Sequence, residues 1–195
     1  TAAIARTARD ALVSAGHEVD WLDLYAEGFD PRLSADERRS YFDSAYDSCA
    51  VADLTSRLLA AEGLVLVFPT WWFDVPAILK GWFDRVLAPG IAFDYRSRGG
   101  LTGRLTNIRL LTALTTTGSP WWIILLVMRN PVRRLLRGAI GMLCSPGLRF
   151  RMISMHDLDR AGADERRAHL ERVKRLMARI LPPSPRRRQR RIVST

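Results

Sequence analysis

The sequence predicts a single α/β domain built on a parallel β-sheet. Two apolar runs, "GLVLVFP" at 63–69 and "IRLLTALTTT" at 108–117, are rich in valine and leucine, which is typical of strands buried on both faces. A third run, "RFRMISMHDL" at 149–158, is also expected to be a strand. Helical patterns at 75–87 and over most of 122–143 separate these runs, and a third, amphipathic helical pattern lies at 162–180. Alternating strands and helices predict parallel strands with helices on both faces of the sheet.

The first sixty residues carry further local signals. Apolar residues recur on one face of residues 2–15, which predicts a helix that ends before Gly16: Ile4, Ala8, Ala11 and Leu12. The segment "HEVDWLDL" at 17–24 is expected to form a strand, and residues 50–61 a helix. Ser34 followed by Glu37 has the spacing of a capping box, which predicts a short helix that begins after Ser34.

Composition favours an ordinary globular protein. The chain has 195 residues, of which 48% are hydrophobic, and this is within the range of one domain. Cys49 and Cys144 lie far apart and match no metal or redox spacing, so a reduced, cytoplasmic protein is expected. The longest apolar run, at 121–128, is far shorter than the roughly 20 residues that span a bilayer.

The positive charge is concentrated towards the end of the chain. The formal net charge is +10, and the last segment, "LPPSPRRRQRRIVST" at 181–195, is predicted to be a disordered basic tail. Contact with nucleic acid or an anionic membrane is one interpretation, and a solvated tail is the one that we favour. Nucleic-acid binding is not expected, because no aromatic residue is interleaved with the arginines.

Two loops have the properties of a ligand site. In a parallel sheet, ligands bind beyond the carboxyl ends of the strands, and two segments follow such ends: Pro69, Thr70, Trp71, Trp72 and Phe73, and then Thr117, Gly118 and Ser119. Free backbone N–H groups beside aromatic rings suit a flat heteroaromatic ligand with polar edges. Gly118 lets the backbone approach such a ligand, and Asp74 is expected to cap the next helix. The alternatives are rings packed under a helix or a partner chain, and a simple turn at Gly118.

The same segments resemble a known family. "LVLVFPTWWFDVPAILKGWFDRVLAPGIAFDY" is similar to the core motif of the flavodoxin-like NAD(P)H:quinone oxidoreductase family. "GHEVDWLDLYAEGFDPRLSADE" resembles the family's second strand and following loop, and "LTTTGSP" resembles its second flavin-contacting loop. The resemblance runs from about residue 2 to residue 180. It implies a flavodoxin-like three-layer sandwich with a parallel sheet over residues 1–180.

The resemblance also implies a cofactor and an activity. A flavin, FAD or FMN, would be held by 69–73 and 117–119, with the amides of Trp72 and Phe73 near the polar edge of its ring. NADH or NADPH would supply a hydride, and a quinone or related acceptor would receive two electrons through the flavin. Tyr95 would line the nicotinamide or quinone side. The family further implies a homodimer with active sites at the interface.

This chain departs from the family pattern in two ways. The family begins with a strand and a phosphate-binding loop ahead of its first helix, whereas this chain starts within that helix, so both are expected to be missing from it. The tyrosine and histidine that assist hydride transfer have no counterpart in "WWIILLVMRNPVRRLLRG", so no catalytic residue is assigned. Two alternatives remain open: an ancillary subunit of a potassium-efflux system with the same fold, and a non-enzymatic remnant without flavin.

Pro131 is expected to break the helical stretch into pieces at 121–129 and 131–143. An apolar stripe in the second piece should pack on the sheet: Val132, Leu135, Leu136, Ala139, Ile140 and Leu143. The arginines should face outward: Arg129, Arg133, Arg134 and Arg137. Trp121 and Trp122 are expected to form a wall of the acceptor pocket, and a weak contact with a membrane surface is the alternative use of this segment.

Overall fold

The computed structural model describes residues 1–42, 46–97 and 99–180, so the predicted basic tail lies outside the described residues. The chain divides into two compact units. The larger unit is formed by residues 22–160, and the smaller one by residues 2–21 together with residues 161–180.

The described residues of the larger unit form five strands: β1 (Gly63–Pro69), β2 (Phe93–Tyr95), β3 (Leu101–Gly103), β4 (Leu110–Thr116) and β5 (Arg149–Met155). β1, β4 and β5 form a parallel sheet in the order β1-β4-β5, and β2 and β3 form an antiparallel hairpin. The register pairs Pro69 with Thr116, and Thr116 with Met155. The carboxyl ends of all three parallel strands therefore lie side by side, as the predicted site requires.

The two valine- and leucine-rich strands differ in burial. Every residue of β4 is buried, as expected for the central strand of this sheet. In β1 only Phe68 is buried, so the expectation that 63–69 is buried on both faces is wrong. The physical reason is position: β1 lies at the edge of the three-stranded sheet, where one side of the strand has less cover.

Six α-helices are present in the described residues: α1 (Ala2–Ser14), α2 (Ala35–Ser40), α3 (Ala52–Ala60), α4 (Ala77–Val86), α5 (Pro131–Arg134) and α6 (Ala163–Met177). The capping box at α2 is confirmed, since Glu37 N–H donates to Ser34 Oγ and Ser34 N–H donates to Glu37 Oε2. Asp74 does not cap α4. The helix starts at Ala77, two residues after the predicted start at 75, and Pro76 is at its N-cap position. The Asp74 carboxylate accepts from Val75 N–H instead.

The predicted break at Pro131 is confirmed, and the helical piece after it is irregular. α5 passes into a π-helical turn at Leu135–Ile140 and a 3₁₀ turn at Gly141–Leu143. Val132, Leu136, Ile140 and Leu143 are buried and Leu135 is half-buried, as predicted, but Ala139 is exposed. A π-helical turn holds more than 3.6 residues, so every fourth residue faces the core and Ala139 rotates away. The four arginines are exposed, as predicted.

Residues 17–24 form no strand, which corrects the sequence prediction. An extended segment becomes a strand only where a neighbouring strand completes its hydrogen-bond ladder. Within the described residues the parallel sheet consists of β1, β4 and β5, and 17–24 joins neither this sheet nor the hairpin.

One cluster forms the core of the larger unit. It joins Leu111 and Ala113 of β4 to Trp82 and Phe83 of α4 and to Leu136. In the smaller unit, α1 and α6 contact each other and bury apolar side chains of both: Ile4, Ala8, Ala11, Val173 and Met177. No helix in the described part of the chain is long and apolar enough to cross a bilayer.

Candidate functional site

Hydrogen bonds tie together the loops that leave the three parallel strands. Thr70 N–H donates to the carbonyl oxygen of Thr116 at 2.8 Å, which links the ends of β1 and β4. Thr117 N–H donates to the carbonyl oxygen of Met155 at 2.9 Å, which links the ends of β4 and β5. The two loops named by the sequence analysis are therefore brought together at one edge of the sheet.

The first loop contains a strained turn. Trp71 and Asp74 exchange two backbone hydrogen bonds, at 3.0 and 2.9 Å, around Trp72 and Phe73. Both central residues have positive φ, 48° for Trp72 and 65° for Phe73. This is the pattern of a type I′ turn, where asparagine and glycine are preferred because a Cβ atom is disfavoured at positive φ. Two bulky aromatic residues in these positions adopt a conformation that costs stability. Such strained conformations are concentrated at ligand and active sites.

The two tryptophan side chains of this turn are exposed to solvent, and Phe73 is half-buried. Trp71 is 65% exposed and Trp72 is 93% exposed. The N–H groups of Trp72 and Phe73 make no hydrogen bond to any other part of the described chain. Unpaired donors next to open aromatic rings form a surface that a ligand with a polar edge and an apolar face can occupy.

The second loop is held by the segment that follows β5. Leu158 N–H donates to the carbonyl oxygen of Thr117 at 3.1 Å, and Asp157 N–H donates to that of Ser119 at 3.2 Å. Gly118 is exposed, and a Cβ atom added to it would lie 2.7 Å from Asp159 Oδ2. Asp159 was not singled out from the sequence. The signal that could have found it is its position: Asp159 directly follows the predicted strand at 149–158, as Gly118 directly follows the one at 108–117.

One buried hydroxyl at this edge has no partner. Thr116, the last residue of β4, is 2% exposed, and its Oγ1 atom makes no hydrogen bond within the described residues. A buried unpaired hydroxyl is costly unless a ligand or water satisfies it. Together with the free amides of Trp72 and Phe73, this orphaned atom fits a polar cofactor edge at the strand ends.

His156 also lies at this edge. It follows Met155, the last residue of β5, and it is half-buried. Burial lowers the pKa of His156, and the negative charge of Asp157 opposes this only in part, so the imidazole is neutral at neutral pH. Its Nδ1 atom has no hydrogen-bond partner in the described chain.

The remaining predicted residues lie outside the two loops. Tyr95 is on β2, where its ring stacks on Phe42 with centroids 6.1 Å apart and meets the edge of Phe93 at 5.4 Å. Trp121 and Trp122 begin the helical segment that follows the second loop, and both are exposed. Among the described residues, no group of three histidine, cysteine or acidic side chains could hold a metal ion.

Comparison with known proteins defines the class. The family model described as "Flavodoxin-like fold" (Flavodoxin_2) matches residues 1–178, and the chain belongs to this family. The α/β fold with a parallel sheet agrees with this assignment. A protein from Streptococcus mutans, Smu.1420, has a similar structure with a TM-score of 0.79 and 28% identity, covering 92% of each chain.

Two relatives carry the names of enzymes. The "NAD(P)H:quinone oxidoreductase from Methanothermobacter marburgensis" superposes with a TM-score of 0.77 and 26% identity, covering 90% of this chain and 87% of that one. "NAD(P)H dehydrogenase [quinone] 1" of Rattus norvegicus is 34% identical over 134 residues, which is 60% of this chain and 48% of the rat protein. The chain thus spans about half the length of this curated relative.

Proposed function

We propose that the protein is a flavin-dependent NAD(P)H oxidoreductase that reduces quinones or related acceptors by two electrons. The observation that carries the proposal is the strained Trp72–Phe73 turn, with its free amides, beside the Gly118 loop. Relatives named as NAD(P)H:quinone oxidoreductases support the substrate class.

The cofactor in this proposal is FAD or FMN. Residues 69–73 and 117–119 hold its ring system, and the N–H groups of Trp72 and Phe73 donate to its polar edge. The buried Thr116 hydroxyl, which lacks a partner, is a further group that can meet a polar atom there. When bound, the flavin supplies the hydride-accepting centre and passes two electrons onward, while the protein contributes orientation and electrostatics.

The donor and the acceptor approach from the open side of the strand ends. NADH or NADPH is the electron donor, and Tyr95, Trp121 and Trp122 line the acceptor side. Their exposed rings exclude water from one face of a planar acceptor and orient it by stacking. No residue is assigned to proton transfer in this proposal.

A homodimer completes the proposal. Trp71 and Trp72 are large rings left in solvent beside the site, and aromatic side chains are enriched in protein interfaces. A partner subunit that covers them would enclose the cofactor ring and bring the two active sites to the interface.

The test is flavin binding and turnover by the purified protein and two glycine variants. The wild type should remain yellow after gel filtration with added flavin and should oxidise NADH or NADPH when a quinone is present. Gly118→Val should lose flavin, because a branched side chain would enter the space above the loop and displace Asp159. Gly147→Val is the matched control, since a Cβ at Gly147 meets nothing within 4 Å.

Each outcome decides the proposal. A wild type that stays colourless after reconstitution contradicts it and favours a remnant without flavin. Flavin binding without quinone-dependent NAD(P)H oxidation contradicts the proposed activity but leaves the cofactor site in place. Equal flavin affinity of the two glycine variants would show that the Gly118 loop does not contact the flavin.

A further inference from the structure

An exposed apolar segment lies between the candidate site and α5. Residues 121–128 turn nearly all of their large side chains to solvent: Trp121, Trp122, Leu125, Leu126, Val127 and Met128. Leu126 is 69% exposed and Val127 is 62% exposed, whereas Ile124 anchors the segment in the core. A contiguous apolar surface of this kind marks a contact site for a protein or a membrane.

The segment is fixed by hydrogen bonds. Ile123–Val127 forms a π-helical turn, and Met128 N–H donates to the carbonyl oxygen of Ile123 at 2.9 Å. Asn130 N–H donates to the carbonyl oxygen of Ile124 at 2.7 Å, and both Arg129 and Asn130 have positive φ. The backbone geometry therefore holds the apolar side chains outward.

Arginines follow the apolar segment at once. Arg129, Arg133, Arg134 and Arg137 are all exposed, and none forms an ion pair with another described residue. The guanidinium of Arg133 lies 5.4 Å from the ring centre of Phe150, so part of its charge is held close to the body of the unit. We call residues 121–137 the docking surface; it combines apolar rings with uncompensated positive charge.

We propose that the docking surface binds an anionic lipid bilayer. Tryptophan and leucine side chains enter the boundary between headgroups and acyl chains, and arginines contact lipid phosphates, which is the arrangement of interfacial membrane segments. Charge favours this occupant over a second copy of the chain. In a symmetric contact the same four arginines of each subunit would face one another, whereas anionic lipid compensates them.

The proposal does not depend on flavin or on turnover. It concerns Leu125, Leu126, Val127 and the four arginines, all of which are exposed and lie outside the two loops at the strand ends. The same surface lies directly after Trp121 and Trp122, so docking would bring the acceptor side of the proposed site close to the lipid. Failure of the membrane test would leave the proposed reaction intact, and failure of the flavin test would leave the membrane contact intact.

The experiment measures sedimentation of the full chain with vesicles of phosphatidylcholine, with and without phosphatidylglycerol. The wild type should bind the anionic vesicles and bind neutral ones weakly. Arg134→Gln with Arg137→Gln should weaken anionic binding by at least about tenfold, since each arginine near an anionic surface contributes severalfold. Leu126→Ser with Val127→Ser should weaken binding to both vesicle types.

Control variants match each change elsewhere on the surface. Arg6→Gln with Arg172→Gln removes the same charge from exposed positions of α1 and α6, and Leu59→Ser removes an exposed leucine from α3. A further variant changes the tail arginines to glutamine: Arg186, Arg187, Arg188, Arg190 and Arg191. Circular dichroism and thermal midpoints verify that every variant is folded.

The outcomes distinguish lipid binding by the docking surface from lipid binding by the tail and from contact with a second copy of the chain. Loss of binding in the docking-surface variants, with retention in the controls, supports the proposal. It is overturned if those variants bind like the wild type, or if the tail variant alone abolishes binding. A change of oligomeric mass in Leu126→Ser with Val127→Ser, without a change in vesicle binding, would assign the surface to a second copy instead.

Discussion

At the scale of single residues, the most consequential pair outside the site is Arg85 and Glu37. Their side chains are only 8% and 3% exposed, and Arg85 Nε donates to Glu37 Oε1 at 2.9 Å. Ser34 N–H donates to the second carboxylate oxygen at 2.7 Å, and the guanidinium lies 5.4 Å from the centre of the Phe29 ring. A buried ion pair is tolerated when its remaining groups are hydrogen-bonded, as here, but removing one partner leaves an uncompensated charge.

Replacing Glu37 by glutamine should lower the free energy of unfolding by about 3–5 kcal/mol, because Arg85 would remain charged in a buried place. Burial alone would raise the pKa of Glu37, but the Ser34 N–H bond and Arg85 together lower it from its usual 4.5. A depressed folded-state pKa contributes stability above pH 4.5, and this contribution is lost as pH falls through the lowered value. Urea denaturation at several pH values measures both effects.

Glu27→Gln is the matched control for this prediction. Glu27 pairs with Arg57 on the surface, and such exposed pairs contribute about 0–1 kcal/mol. Two results would contradict the stabilising role of the buried pair. One is that Glu37→Gln is no more destabilising than Glu27→Gln. The other is that Glu37→Gln loses as much unfolding free energy as the wild type when the pH falls below 4.5.

At the scale of elements, we expect the Trp71–Asp74 turn to lower the free energy of unfolding while it contributes to flavin binding. Changing Trp72→Asn together with Phe73→Gly installs the residues that type I′ turns prefer. We expect the free energy of unfolding to rise by about 1–2 kcal/mol, because the cost of left-handed conformations is relieved. Flavin affinity should fall, since the aromatic wall is lost. Thermal or urea unfolding and flavin titration measure the two effects.

A second variant separates strain from ring contacts. Trp72→Ala with Phe73→Ala removes the rings but keeps Cβ atoms at positive φ, so it should weaken flavin binding without the gain in stability. Equal stability of the two double variants would show that the turn is not strained. Unchanged flavin affinity in both would remove the rings from the site.

The turn before α5 combines a helix cap with a left-handed backbone conformation at Asn130. Asn130 has φ of 47°, its Oδ1 accepts from Arg133 N–H, and Pro131 begins the helix. Asn130→Ala should cost about 2–3 kcal/mol, because it loses the cap and keeps an unfavourable left-handed conformation. Asn130→Gly should cost only a few tenths, because glycine tolerates this φ and is an acceptable cap. Urea unfolding of both variants measures these costs. Equal losses of unfolding free energy would show that the left-handed conformation at residue 130 does not affect stability.

At the scale of the whole molecule, assembly is the property to measure. The proposed homodimer should have twice the 22.1 kDa mass of the chain by light scattering at micromolar concentration. Trp71→Asp should shift the mass towards the monomer, because a charge would be buried against the partner. Arg6→Gln, on an exposed face of α1, serves as control. A monomeric wild type would contradict the dimer.

Much of the fold was predictable because its signals are local. The apolar runs at 63–69, 108–117 and 149–158 contain β1, β4 and β5, and the helical patterns contain α1, α3, α4 and α6. The candidate site was predictable as two loops, since parallel strands place their carboxyl ends at one edge. Asp159 and His156 were missed, because they become neighbours of these loops only through the pairing of β4 with β5.

The sequence by itself determined features that depend on a few adjacent residues. The capping box at Ser34 and Glu37 and the break at Pro131 follow from short-range sterics and hydrogen bonding, which act in the same way in any fold. Tertiary structure decided the features that need a distant partner. Residues 17–24 join no sheet, β1 lies at an edge, and Glu37 meets Arg85 from 48 residues away. Strand pairing, burial and ion pairing are interactions between separate segments, so their outcome depends on where the chain brings those segments.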